Sequence, residues 1–323
     1  VRVLVTGASG MLGRATATAL AARGDEVTVL QRRPAGLPLR EVLGDVADPD
    51  AVGRAARGQD AVVHLAAKVD VTGPWREYLH ANVTGTRAVV DACRGAGVGR
   101  LVHVSSPSVA HAGAALVGVG AGPADPAAAR GAYSRSKALA ERLALAADGG
   151  PTAVVAVRPH LVWGPGDPQL VGRIVARART GRLPVVGTGA ALVDTTWVDN
   201  AADALVAAVE APVHGEALVV SNGEPRPVGE VIAALCRAAG APPPRRSVPL
   251  PAAWAAGALA EGVWAATGRR DTPPLTRFLA GQLATAHWFD QRRTREALGW
   301  APRVPLDEGF ARLARWYAAD PSR

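Results

Sequence analysis

The first thirteen residues leave few folds open. Val1-Arg-Val-Leu-Val-Thr6 is a short aliphatic run, and glycines follow at Gly7, Gly10 and Gly13, where the sequence turns Ala/Leu-rich. A strand that passes so quickly into a helix needs a backbone that only glycine adopts cheaply. Gly7 suits the tight turn, Gly10 lets backbone N–H groups approach a pyrophosphate, and Gly13 lets the helix pack close to the strand. The loop through Ser9, Met11 and Leu12 is thus the expected cradle of a dinucleotide, at the positive end of a helix.

The rest of the first half repeats this plan. Strands are expected at Val1–Val5, Glu26–Leu30, Glu41–Leu43, Ala61–Leu65, Leu101–Val104 and Ala153–Val157, with helices beginning near Gly10, Asp48, Trp75, Ala132 and Gln169. The strands read as continuous apolar runs, as they do when helices cover both faces of a parallel sheet. The expected fold is α/β: a doubly wound parallel sheet of the Rossmann type with a smaller C-terminal substrate-binding lobe. Residues 1–160 form the dinucleotide-binding core. Residues 161–323, punctuated by Gly164-Pro-Gly166-Asp and Pro242-Pro-Pro-Arg-Arg246, supply the lobe and return in part to the core, near Asp194–Val198.

Composition narrows the function classes. A chain of 323 residues with 49% hydrophobic content buries a large core. Cys93 and Cys236 are far apart, which argues against a disulfide framework or zinc site and for a reducing cytoplasm. No charged-then-apolar leader precedes the first strand, so secretion is not expected. The net charge of +8 comes from scattered arginines without interleaved aromatics. It points to an anionic substrate or cofactor and away from nucleic acid. Residues 247–268 carry one charge, Glu261. They are expected to form a helix lining or covering a substrate cavity, or one touching a membrane surface; a span is disfavoured by the central glutamate.

The second strand ends in Gln31-Arg32-Arg33, where an acid would select a free ribose 2′-hydroxyl. Two guanidiniums instead favour a 2′-phosphate and hence NADP(H), the alternative being a solvated surface pair. Asp45 and Val46 after the third strand, and Leu65, Ala66 and Ala67 after the fourth, are expected around the adenosine.

Tyr133 and Lys137 lie one helical turn apart. A phenol is a poor acid–base group near neutrality unless a nearby ammonium favours its phenolate. With that help Tyr133 can exchange a proton with a ketone or alcohol oxygen. Ser106 is the expected second hydroxyl on that oxygen, with Ser108 in reserve and turn capping the plain alternative for both. Asn82 reads equally as catalytic or as a structural hydrogen-bonding group. His160 is a candidate for the substrate or nicotinamide face. The histidines show no metal-ligand spacing, and no metal is expected.

Thr6-Gly-Ala-Ser-Gly-Met-Leu-Gly13, His64-Leu-Ala-Ala67, Asn82-Val-Thr-Gly-Thr86, Ser105-Ser106, the Tyr133/Lys137 pair, Arg158-Pro159, Trp163-Gly-Pro-Gly-Asp167 and Trp197-Val-Asp-Asn200 together resemble the extended short-chain dehydrogenases/reductases. The branch is that of the NAD-dependent epimerases/dehydratases and 3β-hydroxysteroid dehydrogenases. Ser106-Pro-Ser-Val109, Arg158 through Asp167, Ser221-Asn-Gly-Glu-Pro225 and Leu275-Thr-Arg-Phe-Leu279 are similar to the 2-alkyl-3-oxoalkanoate reductases of bacterial long-chain olefin biosynthesis. That resemblance implies NADPH-dependent reduction of a long-chain β-keto acid to a β-hydroxy acid. It also implies assembly with a β-lactone-forming ligase and a decarboxylating hydrolase. On the same resemblance Lys137 and Pro159 touch the cofactor, Trp163 and Trp197 touch substrate, and a homodimer forms through residues 75–96 and 132–148. Rival expectations are a 3β-hydroxysteroid or sterol dehydrogenase, a nucleotide-sugar epimerase and a non-catalytic NADP(H)-sensing regulator. The location expected is cytoplasmic, with contact to a membrane surface open.

Overall fold

Strands with aliphatic side chains on both faces demand cover above and below. A computed structural model describes residues 1–70, 73–111, 113–267, 273 and 275–320. Its main sheet has seven parallel strands: β1 (Arg2–Thr6), β2 (Glu26–Gln31), β3 (Arg40–Leu43), β4 (Ala61–His64), β5 (Arg100–Val104), β6 (Ala153–Pro159) and β7 (Ala217–Val220). Their order is β7-β6-β5-β4-β1-β2-β3. Val3 pairs with Val27 on one side and Ala61 on the other, so the chain reverses its winding between β1 and β4. Loops leave that point in opposite directions and open a crevice at the carboxyl edge.

Alternate residues feed two separate cores. Val3, Val5, Val29, Val63, Val102 and Val155 pack on one face, whereas Leu4, Leu30, Val62, Leu101 and Val154 pack on the other. Helix α1 (Met11–Arg23) covers the first face together with residues 198–210, and α2 (Pro49–Ala56), α3 (Gly85–Ala96) and α4 (Gly131–Leu145) cover the second. Each fully buried Val or Leu stabilises the fold by about 1.5–3 kcal/mol before entropy is counted.

Beyond residue 160 the chain builds the lobe with α5 (Val171–Arg179), then returns through α6 (Val198–Glu210), which lies along α1, and β7. The return thus starts at Val198, where it was expected, but takes helical form and is completed only at residues 217–220. Thr196–Trp197 pairs with Val162–Trp163 in a two-stranded ladder outside the main sheet. The lobe adds α7 (Val228–Ala238), α8 (Leu250–Thr267), α9 (Arg277–Ala284) and α10 (Leu306–Ala318). A four-stranded sheet joins segments 226–227, 192–193, 287–289 and 116–119, the last contributed by the N-terminal half.

Two expectations for the lobe are corrected. Trp163 and Trp197 do not reach a substrate cavity. Trp163 is fully buried, stacks on Phe310 of α10 with ring centroids 4.6 Å apart, and donates to the Thr195 hydroxyl at 2.9 Å. Trp197 meets it edge-on and donates to Asp199. Their ladder position turns both rings into the lobe core with Val171, Val231 and Leu235.

Helix α8 lies outside the cavity lining and packs against α9, with Gly257 so close to the Thr276 backbone that a Cβ would sit 2.7 Å from it. Trp254, Leu259 and Val263 of α8 are 49%, 71% and 42% exposed. Alanines surround this helix, so its sequence holds no polar stripe to say which side meets water. Gly268 lies outside the described residues. No described helix is long and apolar enough to cross a membrane.

Candidate active site

Close contacts at the end of β1 explain its glycines. Gly7 has φ +80°, and a Cβ there would lie 2.8 Å from the Ala66 backbone nitrogen. A Cβ on Gly13 would lie 2.2 Å from the Gly7 carbonyl oxygen. Gly10 precedes α1, whose first turn carries no acidic side chain. Backbone N–H groups at Met11 and Leu12 therefore meet an anion without competition, and a pyrophosphate fits this bare cradle.

Ala66 and its neighbours are held against the turn by a hydrogen-bond chain. The Ala66 N–H donates to the Thr6 hydroxyl at 3.1 Å, and Thr6 donates to Nδ1 of His64 at 2.8 Å. His64 Nε2–H donates to the Thr86 hydroxyl at 3.0 Å, which itself donates to the Asn82 carbonyl at 2.6 Å. Donor order fixes the His64 tautomer. Burial, helped by the Lys137 charge, holds His64 down to about 3, so it stays neutral.

Asn82 also accepts from the Lys68 N–H at 2.7 Å and donates to the Lys68 carbonyl and the Ser136 hydroxyl. It sits in a π-helical turn, Leu79–Thr84, and joins the loop after β4 to α4. Asn82 is buried, and its side-chain amide is tied to both the loop and the helix.

Arg32 and Arg33 follow β2, are exposed, and make no ion pair among the described residues. Their loop is set by Glu41 of β3, whose carboxylate accepts from the Ala35 N–H at 2.8 Å and from the Gln31 side chain. Glu41 escaped the sequence reading because it is distant from the arginines along the chain. Its register partner Val29 on β2 brings it close. Asp45 caps its own turn at the Ala47 N–H and approaches His80 at 3.6 Å, while Val46 backs against Gly85.

At the end of β5, Ser106 caps the short turn Pro107–Ala110, its hydroxyl accepting from the Ser108 N–H and lying 3.0 Å from the Ser108 hydroxyl. The Tyr133 phenol stands beside Ser106. Burial raises that phenol above its ordinary value, and the Ser106 hydroxyl only partly opposes the rise. The depression expected from Lys137 is not found. The Lys137 ammonium turns beneath the strand end and donates to the Val104 carbonyl at 2.6 Å. Burial brings it down to about 8, against the pull of Glu141. Glu141 in turn holds Arg158, fully buried, at 2.8 and 2.5 Å. A buried pair of this kind is costly to break from either side.

Tyr133, Ser106 and Ser108 form one end of a cavity of about 260 Å³, with Pro159 and His160 beside them. Its body is aliphatic: Leu170 and Ile174 beside α5, Val228, Val231, Ile232 and Leu235 of α7, Leu279 and Leu283 of α9. Three histidines, His111, His160 and His287, are among its polar lining residues. Among the described residues no cluster of His, Cys, Asp or Glu is arranged to hold a metal ion.

Residues 3–221 match the NAD dependent epimerase/dehydratase family. The chain is 42% identical to a 2-alkyl-3-oxoalkanoate reductase of Stenotrophomonas maltophilia, over 98% of this chain and all of that protein. It is 31% identical to the human sterol-4-alpha-carboxylate 3-dehydrogenase, decarboxylating, over 97% of this chain and 87% of that one. The structure of MoeE5 in complex with UDP-glucose and NAD superposes with a TM-score of 0.75 at 29% identity, over 99% of this chain and all of that chain.

Proposed function

The chain belongs to the NAD dependent epimerase/dehydratase family, the extended short-chain dehydrogenases/reductases, and is a nicotinamide-dependent oxidoreductase acting on hydroxyl or ketone groups; from that premise we propose that it reduces the ketone of a 2-alkyl-3-oxoalkanoate with NADPH. The observation that carries this reading is the aliphatic cavity that ends on Tyr133 and Ser106. Two alkyl chains would fill its body without leaving polar groups unpaired, whereas a sugar nucleotide would meet few partners there.

Gly7, Gly10, Gly13 and the start of α1 would hold the cofactor pyrophosphate, and Arg32 and Arg33 its 2′-phosphate. Asp45 and Leu65 through Ala67 would flank the adenosine, with Pro159 near the nicotinamide. When bound, NADPH supplies the reducing equivalent. Ser106 and Tyr133 hold the ketone oxygen, and Tyr133 gives it a proton as it becomes a hydroxyl. A phenol raised by burial stays protonated at neutral pH, which suits a donor and hence reduction.

The proposal extends to the product, a β-hydroxy acid for a β-lactone-forming ligase and a decarboxylating hydrolase in long-chain olefin biosynthesis. It includes a homodimer through the helices around residues 75–96 and 132–148, in the cytoplasm. The primary test measures NADPH consumption by the purified chain with a 2-alkyl-3-oxoalkanoate, a 3-ketosteroid and a UDP-sugar. Turnover is expected with the first, and NADPH should exceed NADH in kcat/KM by about tenfold or more. Turnover confined to the steroid or the sugar nucleotide would overturn the substrate assignment.

A further inference from the structure

A 2-alkyl-3-oxoalkanoate carries a carboxylate one carbon from its ketone, and an apolar cavity must neutralise it. Among the described residues, none that lines the cavity is Lys or Arg. His160 is different from its two histidine neighbours. Its Nδ1 lies 2.5 Å from Oδ1 of Asp194, which is fully buried. The other Asp194 oxygen accepts from the Ser221 hydroxyl at 2.7 Å and from the Phe289 N–H at 3.0 Å. Three groups thus converge on the Asp194 carboxyl, and Nδ1 of His160 is the ring nitrogen that faces it. Nε2 is the remaining edge of a ring that lines the cavity, and it makes no bond to the protein.

The neighbours complete a seat. His287 packs edge-on against His160 with ring centroids 5.1 Å apart, and its Nε2–H is taken by the Gln282 carbonyl at 2.9 Å. It walls the seat without a donor to spare. His111 lines the same cavity, and its Nδ1 is buried without a partner among the described residues. Burial lowers His111 and brings His287 down to about 4, with the His160 charge contributing to both.

We propose that His160, as an imidazolium held by Asp194, receives the substrate carboxylate through Nε2, and that His111 supplies a second hydrogen bond to it. The assignment rests on the ketoreductase reading given above. It makes His160 a specificity-determining residue that orients the ketone by gripping the neighbouring carboxylate. Tyr133 and Ser106, which line the same cavity, then meet the ketone oxygen.

The test compares a 2-alkyl-3-oxoalkanoate, its methyl ester and the ketone left by its decarboxylation as substrates of the full chain and of two variants. His160→Asn retains an N–H for Asp194 and removes the edge facing the cavity. The wild type is expected to prefer acid over ester. In His160→Asn the acid-to-ester ratio of kcat/KM should fall by about thirty-fold, since a hydrogen bond to a charged group is lost. In His111→Gln it should fall by about fivefold. NADPH titration reports whether each variant keeps its fold. Equal losses on acid and ester, or an acid preference that survives both substitutions, would overturn the carboxylate seat while leaving the ketoreductase reading intact. Should His160→Asn fail to bind NADPH, an unaltered preference in His111→Gln is sufficient to overturn it. A wild type that reduces none of the three compounds overturns the reductase reading itself, and the seat with it.

Discussion

The two halves of the site are built by different means. At the cofactor end the contacts that matter are backbone to backbone: Gly13 against the Gly7 carbonyl, Gly7 against Ala66. In the substrate cavity they are side chains brought together from the turn after β5, α4, the end of β6, α5, α7, α9 and segments 116–119 and 287–289. Main-chain geometry leaves a strict mark on sequence because only glycine satisfies it. A wall of Leu, Ile and Val leaves almost none, because many residues fill the same volume.

Four substitutions or conditions sharpen this contrast. Tyr133→Phe removes the proton donor at the junction of the halves. Turnover should drop by about a thousandfold or more while the NADPH dissociation constant stays within about threefold. A matching loss of NADPH affinity would show that the halves are not separable there.

Gly13→Ala places a methyl group within the Gly7 carbonyl, and about 3 kcal/mol of stability should be lost, read by urea unfolding. Ile232→Val, a trimmed wall residue, should cost only about 1 kcal/mol. If the two cost the same, the cofactor end is softer than its contacts imply.

Acid should act on both halves at once. His64 at the cofactor end and His287 at the cavity are held down to about 3 and about 4, below their unfolded value near 6.5. Below that value the unfolded chain binds more protons than the native one, so stability falls as pH drops. Each histidine contributes a slope of about 1.4 kcal/mol per pH unit, beginning near pH 6 and ending at its own folded value. A stability curve flat between pH 6 and pH 4 would contradict the burial of both rings.

Arg32→Ala with Arg33→Ala should give the smallest effect. The pair is solvent-exposed, and its loss should cut the NADPH-over-NADH preference by about tenfold with stability unchanged. Unaltered coenzyme preference would move 2′-phosphate selection elsewhere in the cofactor half.

What was legible in the sequence follows the same division. The glycine loop, six strands and the Tyr133/Lys137 spacing could be read because each depends on local pattern. β7 could not, since Ala217–Val220 is four residues long and enclosed by turn signals. The Glu141–Arg158 pair was equally hidden, although Glu141 stands one turn beyond Lys137 on a helix face otherwise rich in buried alanine and serine. A charge in such company is the signal that would have found it. His111 and His287 gave no warning, because 176 residues of chain separate two rings that line one cavity. Trp163 and Trp197 misled for the opposite reason: large aromatics near a glycine-rich loop serve a core as well as a ligand.

β7 also sets the order in which the chain must be made. While the ribosome has supplied only residues up to about 200, β6 is an aliphatic edge strand with one side unpaired, and α1 lacks the cover of α6. Such an edge templates pairing with another copy. A fragment cut after Pro159 would hold Gly7, Gly10, Gly13 and both members of the Tyr133/Lys137 pair, yet it would be a sticky half-sheet. The lobe is threaded between two passes of the chain through the core, so the polypeptide must finish its second pass before either part can stand as a soluble body.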